Sequence, residues 1–422
     1  MITHLHLQDW KSFADSRIYI DPLTILIGTN SSGKSNALDA LEFLSRTAKG
    51  TTLTSSLQGD GALPALRGGL EWASRDSEGH FTLGVTVTSD ETVEYIYEVC
   101  CHIRQNKCEI LSEALVRKKY RLSKDRERGK EIGQIRLFWT EPATPDDPSI
   151  FARLYNEKAG TKRQFGRSNT VLFQLSSQSV RSDIHNGVEQ VIKDLRQIFI
   201  LDPIPSHMRG FSQLSDMIEP DGSNIAGVIA AYKMENDPNI EKKISHYVRK
   251  IPDKGVSDVF VEQVGKFQSD AMLYCEESWP TEPPLSVVDA RGMSDGTLRF
   301  LAILTALFTR PERSLLIIEE VDNGLHPSRA GLLLQVLREV GTERSIDVIV
   351  TTHNPALLDA LGTKFVPFIS IAHRDKQTGY SKFTLLEDLN NLPRLLGEGS
   401  LGRLATRGRF EASLQEKEEA GS

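Results

Sequence analysis

The stretch Leu23-Thr24-Ile25-Leu26-Ile27-Gly28-Thr29-Asn30-Ser31-Ser32-Gly33-Lys34-Ser35-Asn36 decides the fold. Leu23 to Ile27 is an uncharged, aliphatic-rich run of the kind that forms a strand buried on both faces. Two glycines then enclose a polar loop that ends in Lys34-Ser35, and from Asn36 onward Ala37, Leu38, Leu41, Phe43 and Leu44 fall at helical spacing. Strand, glycine loop and helix in this order are the setting that gives G-x-x-x-x-G-K-[ST] its physical meaning. Glycines permit the turn, so that backbone N–H groups across Gly28, Asn30, Ser31, Ser32 and Gly33 face a polyphosphate, and the helix N-terminus adds partial positive charge. Lys34 is expected to reach the β and γ phosphates, the Ser35 hydroxyl to bind Mg2+, and Asn36, where the helical spacing begins, to complete the ATP-binding residues.

Working outward, 50 Lys plus Arg against 57 Asp plus Glu leave a net charge of -7 over 422 residues, with 39% hydrophobic and 25% charged residues. This balance excludes the disordered, collagenous and membrane classes. It also excludes a generally basic nucleic-acid coat, while leaving a local basic patch open. The apolar run Phe300 to Phe308 is far short of the ~20 residues a membrane helix needs. Met1 to Trp10 lacks the basic and apolar regions of a signal peptide, so a cytoplasmic location and no membrane partner are expected. Cys100, Cys101, Cys108 and Cys275 lack C-x-x-C spacing and read as reduced, structural thiols.

Along the chain, Leu5 to Gln8 and Arg17 to Ile20 read as strands before the glycine loop, and Phe81 to Thr88 and Val93 to Cys101 alternate like an antiparallel meander. Asp183 to Leu201 and Ile225 to Val264 carry helical periodicity broken by prolines. Strand signals return at Ala271 to Cys275 and Leu285 to Val288. Leu315 to Ile318, Arg329 to Val340 and Ile346 to Thr351 then form a strand, helix, strand unit that favours a parallel sheet. The expected fold class is α/β, a P-loop NTPase with an added antiparallel β meander and a mostly helical insertion. The expected divisions are 1–178 for the first part of the head, 179–269 for the helical insertion, 270–415 for the second part of the head, and 416–422 for a disordered tail.

Leu315 to Ile318 ends in Glu319-Glu320, two carboxylates at the strand edge where an open parallel sheet binds ligands. Glu319 is expected to hold Mg2+, and Glu320, pointing the other way along an extended backbone, to orient and deprotonate the attacking water. Ser294-Asp295-Gly296-Thr297 precedes an apolar helix and places a Ser and a Gly at a helix N-terminus able to bind an anion. His353 closes the buried strand Val348 to Thr352, and Asn354-Pro355 starts a helix behind it.

In this order the segments resemble the ABC class of ATPases. The likeness is to the head domains of recombination-repair and chromosome-maintenance ATPases, to the overcoming-lysogenization-defect nucleases, and nearest to compact bacterial AAA/ABC ATPases of the SDGT-LR type. Leu7 to Phe13, Gly28 to Asn36, Ser294 to Thr297, Leu315 to His326 and Thr351 to Asn354 carry it, and it covers most of the chain. The resemblance implies an ATP hydrolase that works as a homodimer sandwiching two ATP with Mg2+. Each γ-phosphate would be held by one subunit's Lys34 and by the other's signature, Ser294, Asp295 and Gly296. It implies that His353 senses the γ-phosphate and that Asn323, Gly324, Leu325 and His326 form the loop that crosses the dimer interface. Val321 stands where the family usually has Pro, and His326 where many members have Asp. The glutamine loop is open between Gln174 and Gln178.

The output of such an ATPase is less specified. No heptad run forms a coiled-coil arm, and the residues after His353 lack the D-x-D and extra glutamate of a metal-dependent nuclease. This favours an ATPase whose nucleotide state controls a separately encoded effector protein, as in anti-phage defence. A DNA-binding repair-type ATPase and a non-hydrolysing nucleotide-gated scaffold are the alternatives. Toward DNA, Arg117, Lys118, Lys119 and Arg121 lead a basic run, continued by Lys124, Arg126, Arg128 and Lys130, on an expected protruding hairpin with Tyr120 available to stack.

Overall fold

A computed structural model describes every residue except 124–127, 145, 157–161, 251–254, 280, 281, 390, 421 and 422. The chain divides into two compact units. Met1–Asp21, Ile27–Ile198 and Ser370–Leu386 form the first, and Pro22–Leu26, Phe199–Ile369 and Glu387–Ser422 the second.

The first unit contains β1 (Ile2–Trp10), β2 (Phe13–Tyr19), the last residue of β3 (Leu23–Ile27), α1 (Lys34–Ala48) and α2 (Leu53–Gln58). It continues with β4 (His80–Asp90), β5 (Val93–Arg104), β6 (Lys107–Leu122), β7 (Arg128–Thr140), β8 (Ser149–Leu154), β9 (Arg163–Gly166), α3 (Val171–Ser176) and α4 (Ser182–Arg196). Eight strands build one antiparallel sheet in the order β2-β1-β4-β5-β6-β7-β8-β9, which contains the expected meander. Its core forms because alternate residues, such as Leu5 and Leu7 of β1 and Phe81, Leu83 and Val85 of β4, point to one buried face. Trp10 packs there between Phe43 of α1 and Phe81, with ring centroids 5.9 Å and 5.0 Å away. Each such buried aromatic contributes about 1.5–3 kcal/mol of transfer free energy, which seats α1 and the loop before it on the sheet.

The second unit takes up the chain with β10 (Ile198–Leu201), β11 (Ser212–Gln213), α5 (Ile225–Glu235), α6 (Ile240–Val248), β12 (Val256–Val264), β13 (Asp270–Trp279) and β14 (Glu282–Asp289). There follow α7 (Asp295–Thr309), β15 (Leu315–Ile318), α8 (Pro327–Glu343), β16 (Asp347–Thr351) and α9 (Pro355–Leu361). The hairpin of β17 (Ile369–Arg374) and β18 (Ser381–Leu385) lies almost wholly in the first unit, and α10 (Leu392–Glu398), α11 (Leu401–Thr406) and α12 (Arg409–Ala420) close the second. Within the second unit β15, β16 and Leu23–Leu26 of β3 run parallel, with Ile318 opposite Val350 and Thr351 opposite Leu26. Every residue of the three strands is buried, which is why they read as continuous apolar runs rather than alternating ones. Their ends, at Leu26, Ile318 and Thr351, form one edge, and Glu319 and Thr352 follow β15 and β16 in the chain.

The fold is thus a mixed α/β P-loop NTPase fold with an antiparallel sheet and helices. Some boundaries differ from expectation. Helices predominate in 179–269, but the helical reading runs too far at both ends, because Ile198–Leu201 and Val256–Val264 are strands. In the latter, Val259 and Val261 are buried two residues apart and pair with Cys275 and Leu273 of β13, a strand period. The stretch is also shared between units, α4 belonging to the first and α5 and α6 to the second. The tail expected to be disordered is helical to Ala420, consistent with the helix-forming composition of Leu414 to Ala420; residues 421 and 422 lie outside the described ones. All four cysteines are free thiols. Among the described residues no helix is long and apolar enough to cross a membrane.

Candidate functional site

The phosphate loop is shaped by positions that only small residues satisfy. Gly28 has φ +141°, and a Cβ there would fall 2.2 Å from the Ala372 carbonyl oxygen. Gly33, the N-cap of α1, has φ +111°, and a Cβ would meet Ser381 Oγ at 2.7 Å and the Phe13 ring at 2.8 Å. Ser31 is left-handed too, at φ +65°, so the loop closes over a short span. Lys34 Nζ donates to the carbonyls of Gly28 at 2.6 Å and Thr29 at 3.0 Å, folded back over its own loop. Ser32 Oγ is buried and has no hydrogen-bond partner among the described residues.

The segment before the loop explains its own sequence. The Trp10 indole N–H donates to the Asn36 carbonyl at 2.7 Å, Asn36 Nδ2 donates to Ser12 Oγ at 2.9 Å, and Ser381 Oγ donates to the same hydroxyl at 2.9 Å. Lys11 Nζ reaches the buried Asp39 carboxylate at 2.5 Å, with Arg67 on its other side at 2.9 Å. Burial pushes the Lys11 ammonium down from its ordinary value, and the Asp39 carboxylate pulls it back. Two cations on one buried carboxylate hold the first turns of α1 beneath the loop.

At the end of β15 the chain turns at once. The expected extended backbone at Glu320 is not found: Glu320 has φ +47°, in the left-handed region, which costs a non-glycine residue about 1 kcal/mol or more. The turn wins because the Glu320 N–H donates to Thr351 Oγ1 at 2.9 Å, the Val321 N–H to the Thr351 carbonyl at 3.1 Å, and the Asn323 N–H back to the Glu320 carbonyl at 2.8 Å. The Glu320 side chain is 55% exposed, and its Oε1 lies 3.9 Å from His353 Nδ1. Below them the buried Thr352 hydroxyl donates to Asp322 Oδ1 at 2.7 Å, tying the strand end that carries His353 to the turn that carries Glu320. The structure therefore brings Glu320 and His353 together, with Glu319 beside them on the same turn.

Ser294 is the N-cap of α7, its Oγ accepting from the Thr297 N–H at 3.2 Å and sharing a hydrogen bond with Thr297 Oγ1 at 2.8 Å. Gly296 lies against the turn of Asn323, Gly324, Leu325 and His326: a Cβ at 296 would fall 2.6 Å from the Gly324 carbonyl. Signature and interface loop of one chain are thus in contact.

Gln174 is fully engaged, its Oε1 accepting from the Gly166 N–H at 3.0 Å and its Nε2 donating to the carbonyls of Gly166 and Asn169, both at 2.9 Å. Gln178 accepts from Arg163 at 3.5 Å. The basic hairpin exists as β6 and β7, but its charges are unequal. Arg117 pairs with Asp183 at 2.6 Å, Lys118 with Glu131 at 3.3 Å and Arg128 with Glu94 at 2.8 Å, while Tyr120 donates to Glu94 at 2.8 Å and lies beneath Arg128. Lys119 and Arg121 are exposed and form no ion pair among the described residues. Lys124 and Arg126 lie outside the described residues.

Two family models match the sequence. Residues 276–359 match the one described as an AAA domain, putative AbiEii toxin, Type IV TA system, and residues 1–141 match the AAA ATPase domain. The two matched segments are thus similar to AAA-type domains. No curated protein matches the sequence. Solved structures similar in outline include an Smc head bound to the C-terminal winged-helix domain of ScpA, at 15% identity and TM-score 0.47, covering 91% of this chain and 97% of that one. The SMC head domain from Thermotoga maritima aligns at 14% identity and TM-score 0.40, covering 91% and 98%. The Pyrococcus furiosus Smc head with an extended coiled coil, bound to the C-terminal domain of ScpA, aligns at 14% and 0.45, covering 94% and 98%.

Several residues of this site carry weight that no motif announced. Arg374 donates from Nε to the Ser31 carbonyl at 2.9 Å, bracing the phosphate loop from the end of β17. Asp322 and Thr352 form the buried tie beneath Glu320 and His353, and Arg209 binds the signature segment. Each acts through backbone carbonyls or one buried pair, so its residue type sets no spacing that a motif could capture.

Proposed function

We propose that the protein is an Mg2+-dependent ATPase that hydrolyses ATP as a homodimer and whose nucleotide state controls a separately encoded effector. The observation that carries the reading is the shared edge of β15 and β16 in the second unit, from which the chain runs into Glu319 and Thr352 respectively. That edge leads into the acidic turn of Glu319 and Glu320 and into His353, groups suited to activating water for phosphoryl transfer.

In this reading the N–H groups of Gly28 to Lys34 and the Lys34 ammonium take the β and γ phosphates, exchanging the lysine's internal carbonyl partners for phosphate oxygens. The buried Ser32 hydroxyl has no acceptor among the described residues, a deficit worth about 1–3 kcal/mol, and a phosphate oxygen is one. The hydroxyl of Ser35 and the carboxylate of Glu319 are hard oxygen donors suited to Mg2+, which when bound neutralises charge between the phosphates. Glu320 takes the proton of the attacking water, and His353 beside it holds that carboxylate and the γ-phosphate in register. Ser294 and the N-terminus of α7 of a second chain close the open side of the γ-phosphate, excluding water and adding donors where charge develops. The description of the model matching residues 276–359, which names a toxin of a Type IV TA system, supports placing the chain in a toxin-type module.

The test is Glu320→Gln. The variant is expected to bind ATP as the wild type does, to lose turnover, and to double in mass by light scattering when ATP is added. Unchanged turnover overturns the assignment of Glu320. A purified wild type that binds ATP without hydrolysing it turns the reading into the nucleotide-gated scaffold. The DNA-binding alternative rests on Lys119 and Arg121, exposed hairpin cations that form no ion pair among the described residues.

A further inference from the structure

One guanidinium outside every recognised motif organises the signature segment. Arg209 Nη1 donates to three backbone carbonyls, Ala290 at 3.1 Å, Arg291 at 2.9 Å and Met293 at 2.8 Å, and its Nη2 reaches Asp295 Oδ1 at 2.6 Å. Three of the acceptors lie in the turn between the end of β14 and the N-cap Ser294, and the fourth, Asp295, is the first residue of α7. A trans peptide points its C=O and N–H in opposite directions, so a Met293 carbonyl turned toward Arg209 turns the Ser294 N–H away from it. Arg209 thereby sets how the first residue of the signature presents both its N–H and its hydroxyl.

The arginine itself is held in place. Met208 is buried, its sulfur and the Ala302 side chain of α7 both lying near Gly222, and His207 Nδ1 bonds Asp221 at 3.0 Å across the same loop. The Ile204 N–H donates to the Asp221 carbonyl at 2.8 Å. The loop that carries Arg209 is therefore packed on the signature helix, and only a planar fork of donors can serve three carbonyls and a carboxylate at once. Asp295 accepts one arm of the fork, which places a carboxylate beside the added positive charge at the start of α7.

We propose that Arg209 is the positioning residue of the signature: it fixes Ala290 to Asp295 in the conformation in which Ser294 and the first turn of α7 accept a γ-phosphate from a partner chain. This rests on the ATPase reading above. The consequence is that the loop from Leu201 to Gly222, and whatever moves it, governs hydrolysis without touching nucleotide.

The experiment compares wild type, Arg209→Ala, Arg209→Lys, Ser294→Ala and the double variant Arg209→Ala/Ser294→Ala, with thermal unfolding as the check on folding. Titration with a fluorescent ATP analogue on the monomer is expected to be unchanged for all, since the phosphate loop is intact. Arg209→Ala is expected to lower kcat about 10- to 100-fold, the usual cost of a misplaced catalytic group. Arg209→Lys recovers part of that, because one ammonium reaches some but not all of the acceptors. In the Ser294→Ala background, removing Arg209 is expected to cost less than in the wild type, because the hydroxyl it positions is already gone while the backbone N–H groups remain. Asp295→Ala, which breaks one exposed arm, is expected to give a smaller loss and serves if Arg209→Ala does not fold. Wild-type turnover in Arg209→Ala, or losses from Arg209→Ala and Ser294→Ala that multiply in the double variant, overturns the proposal alone. Absence of ATP turnover by the wild type overturns the ATPase reading and this proposal with it.

Discussion

Gly296 and Gly324 touch: a Cβ at position 296 would lie 2.6 Å from the Gly324 carbonyl oxygen, closer than real Cβ atoms approach an oxygen. The start of the signature helix and the turn that follows Glu320 are therefore in backbone contact within one chain. Gly324 itself has φ +72°, so the turn depends on its own glycine as well. A movement at one element cannot leave the other in place.

From this contact follows the first prediction. Gly296→Ala must displace the 322–326 turn or the N-terminus of α7, and is expected to lower kcat about 10- to 100-fold while the isolated chain binds ATP with unchanged affinity. Steady-state turnover and a monomer ATP titration measure the two. Full turnover would show that the contact has no bearing on hydrolysis.

Glu320 combines a left-handed backbone with an exposed carboxylate. Glu320→Gln is expected to reduce kcat by about 10²–10⁴-fold, the usual contribution of a general base. Glu320→Gly removes the same base while relieving the φ of +47°, so it is expected to unfold no earlier than Glu320→Gln in a thermal scan. A glycine variant that unfolds markedly earlier would refute the strain.

Glu113 is a buried acid that gives the fold a pH dependence. Burial pushes its carboxyl up to about 7, against the N–H groups of Val171 and Leu172 and the Tyr97 hydroxyl, which favour the charged form. Since the folded value lies above the unfolded one, the folded chain binds more protons between about 4.5 and 7, and the stability this group contributes is lost as pH rises through that window. Tm of the wild type should therefore fall relative to Glu113→Gln from pH 4.5 toward 7 and level off above. A difference independent of pH contradicts this.

For the DNA alternative the ion pairs choose the residues. If the hairpin holds DNA, Lys119→Glu with Arg121→Glu should flatten the salt dependence of binding by about 0.9 logarithmic unit for each phosphate no longer neutralised, while Arg117→Ala should matter less, because Asp183 already pairs it. Fluorescence anisotropy on duplex DNA over a salt series reads this. No binding at low salt removes the alternative.

Much of this was legible in the residues. Leu23–Ile27 and Leu315–Ile318 announce themselves because strands buried on both faces are aliphatic at nearly every position, and Gly28 to Ser35 because phosphate chemistry demands those types at that spacing. Val256–Val264 was opaque: its valines satisfy a helical period nearly as well as a strand period, and only pairing with β13 decides between them. The turn at Glu320 was opaque for another reason. Its φ is imposed by Thr351, a residue distant in sequence, and overrides the local preference of glutamate. Arg117 and Lys118 looked like free cations because their partners, Asp183 and Glu131, are brought to them by the fold.

The central claim is that hydrolysis needs two chains, and turnover per chain against protein concentration tests it most directly. The account predicts a specific rate that rises with concentration to a plateau, as monomers give way to ATP-bridged dimers. A specific rate that stays constant down to concentrations at which light scattering finds only monomer, with ATP present, would contradict it.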